Sequence, residues 1–326
     1  MDWTRTRVVV TGAGGFIGSH LVQRLLDLGA DVTAFIRYNS QNDDGFLAAI
    51  GDRPIRIVRG DVTDVEALRR AFVGSDVVFH LAALVGVPYS FIHANQVFQV
   101  NTMGTVNVLT AARDNSLSKV VITSTSEVYG SARYVPIDEA HPKQPQSPYA
   151  ASKIAADAIA LSFYHAYGLP VAIVRPFNTF GPRQSDRAII PTVIAQALSK
   201  DEIRIGNPHP TRDFTFVTDT AEGFIKAAES DKAIGQEINL GSGAEISVAA
   251  LAETIAAMVG RQVPVRVDEK RVRSRQAEVT RLLANNSRAR ELIGWQPVVG
   301  LEEGLRRTIE WVRENSAAYD PNAYRV

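Results

Sequence analysis

The opening of the chain constrains the fold more than any other stretch. Arg7-Val8-Val9-Val10 is a β-branched run, and Thr11-Gly12-Ala13-Gly14-Gly15-Phe16-Ile17-Gly18 follows it directly. A run without apolar/polar alternation reads as a parallel strand buried on both faces. Gly12, Gly15 and Gly18 have the spacing Gly-x-x-Gly-x-x-Gly, and Ser19 to Leu28 continues with helical periodicity to Gly29. Strand, glycine turn and helix in that order let the backbone approach a pyrophosphate at the helix N-terminus. The expected site holds a dinucleotide on Gly12, Gly15, Phe16, Ile17 and Gly18.

The following residues repeat the same alternation. Asp31 to Arg37 reads as a second strand, Ile55 to Val58 as a third and Val77 to Leu81 as a fourth. A helix is expected over Asn101 to Asn115, then strands over Val120 to Ser124 and Val171 to Val174. Regular alternation predicts an α/β fold, a Rossmann doubly wound parallel sheet with ligands at the carboxyl ends of its strands. We expect a dinucleotide-binding domain over 1–175, joined by a returning strand near 237–241. A smaller, discontinuous substrate-binding part covers 176–326. On the cofactor side, Asp61 and Val62 follow the third strand, and Leu81, Ala82 and Ala83 end the fourth. Asp61 either accepts from an adenine amino group or caps the helix that begins near Asp64. An NAD site usually carries an acid about 20 residues past the fingerprint, whereas this chain has Arg37 there; arginine suits a 2′-phosphate and favours NADP over NAD.

Composition removes several alternatives. Formal net charge is +0, so no basic field holds nucleic acid or an anionic membrane. The chain has no cysteine, which excludes disulfides, a thiol nucleophile and a zinc thiolate site, and no metal site is expected. No apolar run reaches the ~20 residues that span a bilayer, and Met1-Asp2-Trp3-Thr4-Arg5 leads straight into a strand without a signal-peptide pattern. A cytoplasmic location is the expectation.

The chemistry is expected on Tyr149-Ala150-Ala151-Ser152-Lys153. Spacing of four puts Tyr149 and Lys153 on one helix face, and a fixed ammonium beside a phenol lowers the phenol pKa. Such a pair can take a proton from a hydroxyl while hydride leaves the same carbon. Ser124-Thr125-Ser126-Glu127 ends the fifth strand, which places two hydroxyls and the Glu127 carboxylate where cofactor and substrate meet. Tyr129 reads as packing. Arg183, Arg212 and Arg275 fall in the part that caps the sheet, where such forks suit a second diphosphate.

These motifs together resemble the extended short-chain dehydrogenase/reductases that act on nucleotide sugars, over almost the whole length. The resemblance rests on the glycine fingerprint, Gly60-Asp61-Val62, His80-Leu81-Ala82-Ala83, Asn101, Tyr149/Lys153, Arg175-Pro176-Phe177-Asn178, the Arg212 to Asp219 block and the Arg275/Glu278 region. It implies that Asn101 belongs to the cofactor site and that Thr125 and Tyr149 touch the sugar O4. It also implies that Asn178, Arg183, Arg212 and Arg275 line the nucleotide-sugar site. Ser124 to Gly130 looks like the 4,6-dehydratases; Ser126 is the residue found in GDP-mannose dehydratases, where thymidine-diphosphoglucose dehydratases have aspartate. The longer pattern is most similar to dehydratases of bacterial N-acetylhexosamine pathways, such as those feeding legionaminic acid. In that chemistry Tyr149 takes the O4 proton as hydride leaves C4, and Glu127 removes the acidified C5 proton. Water then departs from C6, where the hydride returns. Without a second acid, Glu127 itself protonates the departing hydroxyl, and Ser126 only relays or positions. The cofactor, NADP or NAD, stays tightly bound. A 4-epimerase and a uronic-acid decarboxylase are the alternatives on the same fold. Relatives pair as homodimers through the helices after Asn101 and around Tyr149, with Val106, Leu109, Ala155 and Ile159 as candidate contacts.

Overall fold

The computed structural model describes residues 1–39, 43–261, 263–272 and 278–322. Six strands follow in chain order: β1 (Arg7–Thr11), β2 (Asp31–Arg37), β3 (Ile55–Gly60), β4 (Val77–His80), β5 (Lys119–Thr123) and β6 (Val171–Pro176). The later strand Glu237–Leu240 adds to β6, with Ile238 opposite Val174, so the sheet runs Glu237–Leu240, β6, β5, β4, β1, β2, β3. All of its pairs are parallel. The unbroken apolar run of β1 is explained by two covered faces. Val8 and Val10 pack with Leu21, Leu25 and Phe224 on one side. Val9 packs with Leu68, Phe72 and Leu109 on the other. Strand order reverses between β1 and β4, which opens a crevice at their carboxyl ends.

Beyond β6 the elements are shorter. Helices Ile189–Ser199, Val248–Val259 and Leu301–Glu314 enclose a second core that includes Phe180, Val193, Leu251 and Ile309. The helix that carries Tyr149 spans Pro148–Tyr167. The Ser147 hydroxyl accepts from the Ala150 N–H at 3.1 Å, proline occupies its first turn, and Gly168 (φ 66°) closes it in a left-handed conformation.

Two expectations are corrected here. The helix expected to start at Asn101 is helical from Ala94: Ala94–Phe98, then a π-helical turn Gln99–Met103, then Gly104–Asp114. Asn101 sits buried inside that π turn, where its side chain bonds neighbouring elements instead of capping a helix start. Leu109 is buried in the chain's own core, so it is not part of an outer stripe; Val106, Ala155 and Ile159 remain partly exposed. Among the described residues, no helix is long and apolar enough to cross a membrane.

Candidate active site

A cleft of about 550 Å³ lies along the crevice. Gly12, Gly15, Phe16, Ile17, Gly18, Arg37, Asp61, Val62, Leu81, Ala82 and Ala83 all line it, as do Tyr149 and Lys153 at its inner end. The glycine loop has the shape a pyrophosphate requires. Gly12 has φ +71°, and a Cβ there would stand 2.7 Å from the Ala82 nitrogen. A Cβ on Gly18 would collide with the Gly12 carbonyl. The helix Phe16–Asp27 starts at Gly15 without a side-chain cap, so its first N–H groups face the cleft with no competing acceptor from a cap. These residues fit a dinucleotide. Arg37 is exposed at the rim, at the end of β2. Asp61 Oδ1 accepts from the Thr63 N–H at 2.9 Å and hydroxyl at 2.7 Å, while Asp64 caps the next helix. Asn39, Asp43 and Asp44 also line the rim. Of these, the acids escaped the sequence reading because Gly45 (φ +62°) is the one local mark of the turn that packs them against Gly14.

The reacting end is built by β5 and the helix Pro148–Tyr167. Thr125, two residues past the end of β5, is extended and caps the short turn Ser126–Tyr129, its Oγ1 accepting from the Glu127 N–H at 3.2 Å. Thr125 and Ser126 are buried and Glu127 is half-buried. Thr125 and Glu127 both lie close enough to act on the Tyr149 phenol, Thr125 lowering its pKa and Glu127 raising it. The Lys153 ammonium donates to the Thr123 carbonyl at 2.5 Å.

The expectation for the phenol pKa is reversed. Burial raises the Tyr149 pKa well above its ordinary 10.0; Thr125 lowers it in part, and Glu127 and Asp157 raise it further. Burial also pushes Lys153 down, from 10.5 to about 8, against the pull of Asp157. The loss of hydration outweighs the spacing effect read from Tyr-x-x-x-Lys. His80 lies beneath, its Nδ1 2.8 Å from the Thr11 hydroxyl and its Nε2 3.2 Å from that of Thr105. Burial, with Lys153 nearby, pushes it down to about 3, so it is neutral.

Two residues stand elsewhere than expected, and a third lies outside the described residues. Asn101 is behind the cleft wall: its Oδ1 accepts from the Leu84 N–H at 2.8 Å, and its Nδ2 donates to the Leu84 carbonyl and to the Ser152 hydroxyl at 3.0 Å each. It fixes the loop after β4 to the catalytic helix. Arg183, buried with φ +68°, turns toward the helix Phe16–Asp27, donating to Gln23 Oε1 at 2.9 Å and lying over Trp311. A left-handed backbone at a non-glycine residue is invisible to a pattern-based reading. Arg275 lies outside the described residues. Asn178 and Arg212 do come together: the Asn178 amide donates to the Asp213 carbonyl at 3.3 Å, and Arg212 reaches Glu278 at 3.5 Å.

Sequence reading also passed over a buried network under the site. Asp157 Oδ2 accepts from the Ser124 hydroxyl at 2.8 Å and from Arg175 Nη2 at 2.9 Å and Nε at 3.2 Å. Arg175 donates to the Tyr129 hydroxyl at 2.9 Å and pairs with Glu237. Tyr129 is fully buried and donates to Asn239 at 2.7 Å, in accord with a packing role. The signal was the acid at Asp157, one helical turn beyond Lys153.

The geometry agrees with what the chain is similar to. Residues 9–308 match the family model described as GDP-mannose 4,6 dehydratase. A UDP-glucose 4-epimerase of Mycolicibacterium smegmatis is 35% identical over 95% of this chain and 99% of its own length. The human dTDP-D-glucose 4,6-dehydratase is 32% identical over 95% of this chain and 90% of its own. Among solved structures, the dTDP-glucose 4,6-dehydratase DesIV from Streptomyces venezuelae, with NAD and TYD bound, superposes with a TM-score of 0.88 at 31% identity, covering 97% of this chain and 99% of that one. The chain belongs to the GDP-mannose 4,6 dehydratase family, within the extended short-chain dehydrogenase/reductases.

Proposed function

We propose that the protein is a nucleotide-sugar 4,6-dehydratase that makes a 4-keto-6-deoxy sugar, with an N-acetylhexosamine carried on a nucleoside diphosphate as its substrate. One observation carries the reading: Glu127 lies on the turn that Thr125 caps, near enough for its carboxylate to act electrostatically on the Tyr149 phenol. When bound, the nicotinamide dinucleotide accepts hydride from the sugar and gives it back within one turnover. Gly12 to Gly18 would hold its pyrophosphate, and Arg37 favours the phosphorylated form.

The side chains divide the proton work. Thr125 orients the sugar O4, and Tyr149 takes its proton as the phenolate; the raised phenol pKa makes that phenolate a strong base. Lys153 steadies the phenolate. Oxidation at C4 makes the C5 proton acidic, and Glu127 removes it. The protonated Glu127 then passes the proton to the hydroxyl leaving C6, because Ser126 has no carboxyl group to do so; C5 would take a proton from solvent as C6 is reduced, and Tyr149 would release the O4 proton, which balances the sequence. Asn178 and Arg212 line the nucleotide side of the substrate. We also propose that the protein works as a homodimer and keeps its cofactor bound.

A second reading, 4-epimerase, is favoured by the 35% identity to the mycobacterial enzyme. An epimerase has no step at C5 and no use for Glu127. Incubation with a panel of nucleotide sugars, read by mass spectrometry, separates the two. A product lighter by one water supports the dehydratase. A product of unchanged mass and altered retention contradicts it and favours the epimerase.

A further inference from the structure

Two cations are buried at the carboxyl edge of the sheet, Lys153 and Arg175, and two anions, Asp157 and Glu237, accompany them. Glu237 pairs with Arg175 and also with Lys143, so it offsets Arg175 in part. Asp157 gives Arg175 one oxygen only: Oδ2 takes all three bonds, from Ser124 and from two nitrogens of Arg175. Its Oδ1 is buried and accepts from no donor among the described residues. A buried carboxylate oxygen without a hydrogen bond persists where a nearby positive charge offsets its desolvation. Asp157 stands four residues after Lys153, on the same helix face, and its charge acts on both Lys153 and Tyr149.

We propose that Asp157 is a positioning residue for the catalytic pair: it supplies the counter-charge that keeps Lys153 protonated, while Ser124 and Arg175 hold its other oxygen in place. The arrangement also ties the helix of Tyr149 to the strand end that carries Thr125, since Ser124 lies between Thr125 and Thr123, the Lys153 acceptor. The groups that face this corner are Tyr149 from the same helix, His80 from β4, Glu127 from the turn after β5, and Arg175 from β6. His80 is neutral and Arg175 is bound to Glu237, which leaves Asp157 as the carboxylate that acts on Lys153.

The test is the pH dependence of NADP binding, followed by tryptophan fluorescence, together with the alkaline limb of turnover on a nucleotide sugar. The turnover arm rests on the dehydratase reading; the binding arm does not. A protein that binds NADP but converts no nucleotide sugar sinks that reading and leaves this inference to the binding curve. In Asp157→Asn, the loss of binding with rising pH is expected to begin roughly one pH unit lower than in wild type. Asp157→Glu and Ser124→Ala, which keep the charge, are expected to stay within a few tenths of a unit of wild type. If Asp157→Asn does not fold, Asp157→Ser, which leaves room for a water, is read for the same shift. An unmoved limb in the neutral variant, or an equal shift in Ser124→Ala, overturns the proposal.

Discussion

Lys153 and Arg175 are both buried cations at one edge of the same sheet, yet their surroundings treat them in opposite ways. Burial works against the charge on Arg175, but Asp157, Tyr129 and Glu237 outweigh it, and its pKa is raised. Burial works equally against Lys153, and Asp157 compensates only in part, so the ammonium titrates at about 8. Arg175 is fully paired; Lys153 donates to one backbone carbonyl and, among the described residues, pairs with no carboxylate, Asp157 acting on it only through its field. The difference separates two tasks. The layer beneath the site gives its arginine a full set of partners and holds strand ends together. The layer that faces the cleft keeps its groups under-compensated, which is where a proton can be moved.

Substitutions can break this contrast, and the largest effect is expected at Tyr149. Tyr149→Phe should lower kcat by roughly 10³-fold while thermal unfolding stays close to wild type. A matching loss of stability would show that the two layers are not separable. Arg175→Met should do the reverse, costing about 3–5 kcal/mol in denaturant unfolding, because Asp157 and Glu237 lose their shared cation. Glu127→Gln should cut dehydrated product by roughly 10²-fold, with nucleotide-sugar binding preserved in calorimetry. Arg37→Ala should weaken NADP about tenfold, ~1.4 kcal/mol, and leave NAD unchanged; equal losses for both would remove the case for a 2′-phosphate contact.

The smallest effect sharpens the contrast most. Lys153→Met should lose turnover yet unfold within about 1 kcal/mol of wild type or above it, since Asp157 keeps Arg175 and Ser124. The sign follows from linkage. The folded pKa of Lys153 lies below its ordinary 10.5, so between about 8 and 10.5 the unfolded chain binds a proton that the folded chain has released. Below that window the cost of burying the charge is present in full; it disappears as pH rises through it. Wild type should therefore gain stability over Lys153→Met as pH is raised from about 8 to 10.5, as unfolding midpoints would show.

Sequence reading reached the sheet because burial on both faces writes itself as unbroken β-branched runs; the returning strand Glu237–Leu240 was expected without such a run, Ile238 being its one β-branched residue. It reached Tyr149, Lys153 and Glu127 because local spacing and a strand end define them. It missed what depends on distant partners. Asn101 is consumed by Leu84 and Ser152, and no local rule places those beside it. Arg183 turns away through a left-handed backbone. The phenol pKa went the wrong way because spacing reports a neighbour and burial is set by the whole fold. Asp157 and Arg175 are 18 residues apart on a helix and a strand, and only the sheet brings them together.

The central claim is that Glu127 makes this site a dehydratase. The most direct test is turnover in deuterated water, with the product analysed by NMR and mass spectrometry. The account predicts a 4-keto sugar that has lost one water and carries deuterium at C5, with neither change appearing in Glu127→Gln. A product that keeps its oxygen and carries no deuterium at C5 would contradict it.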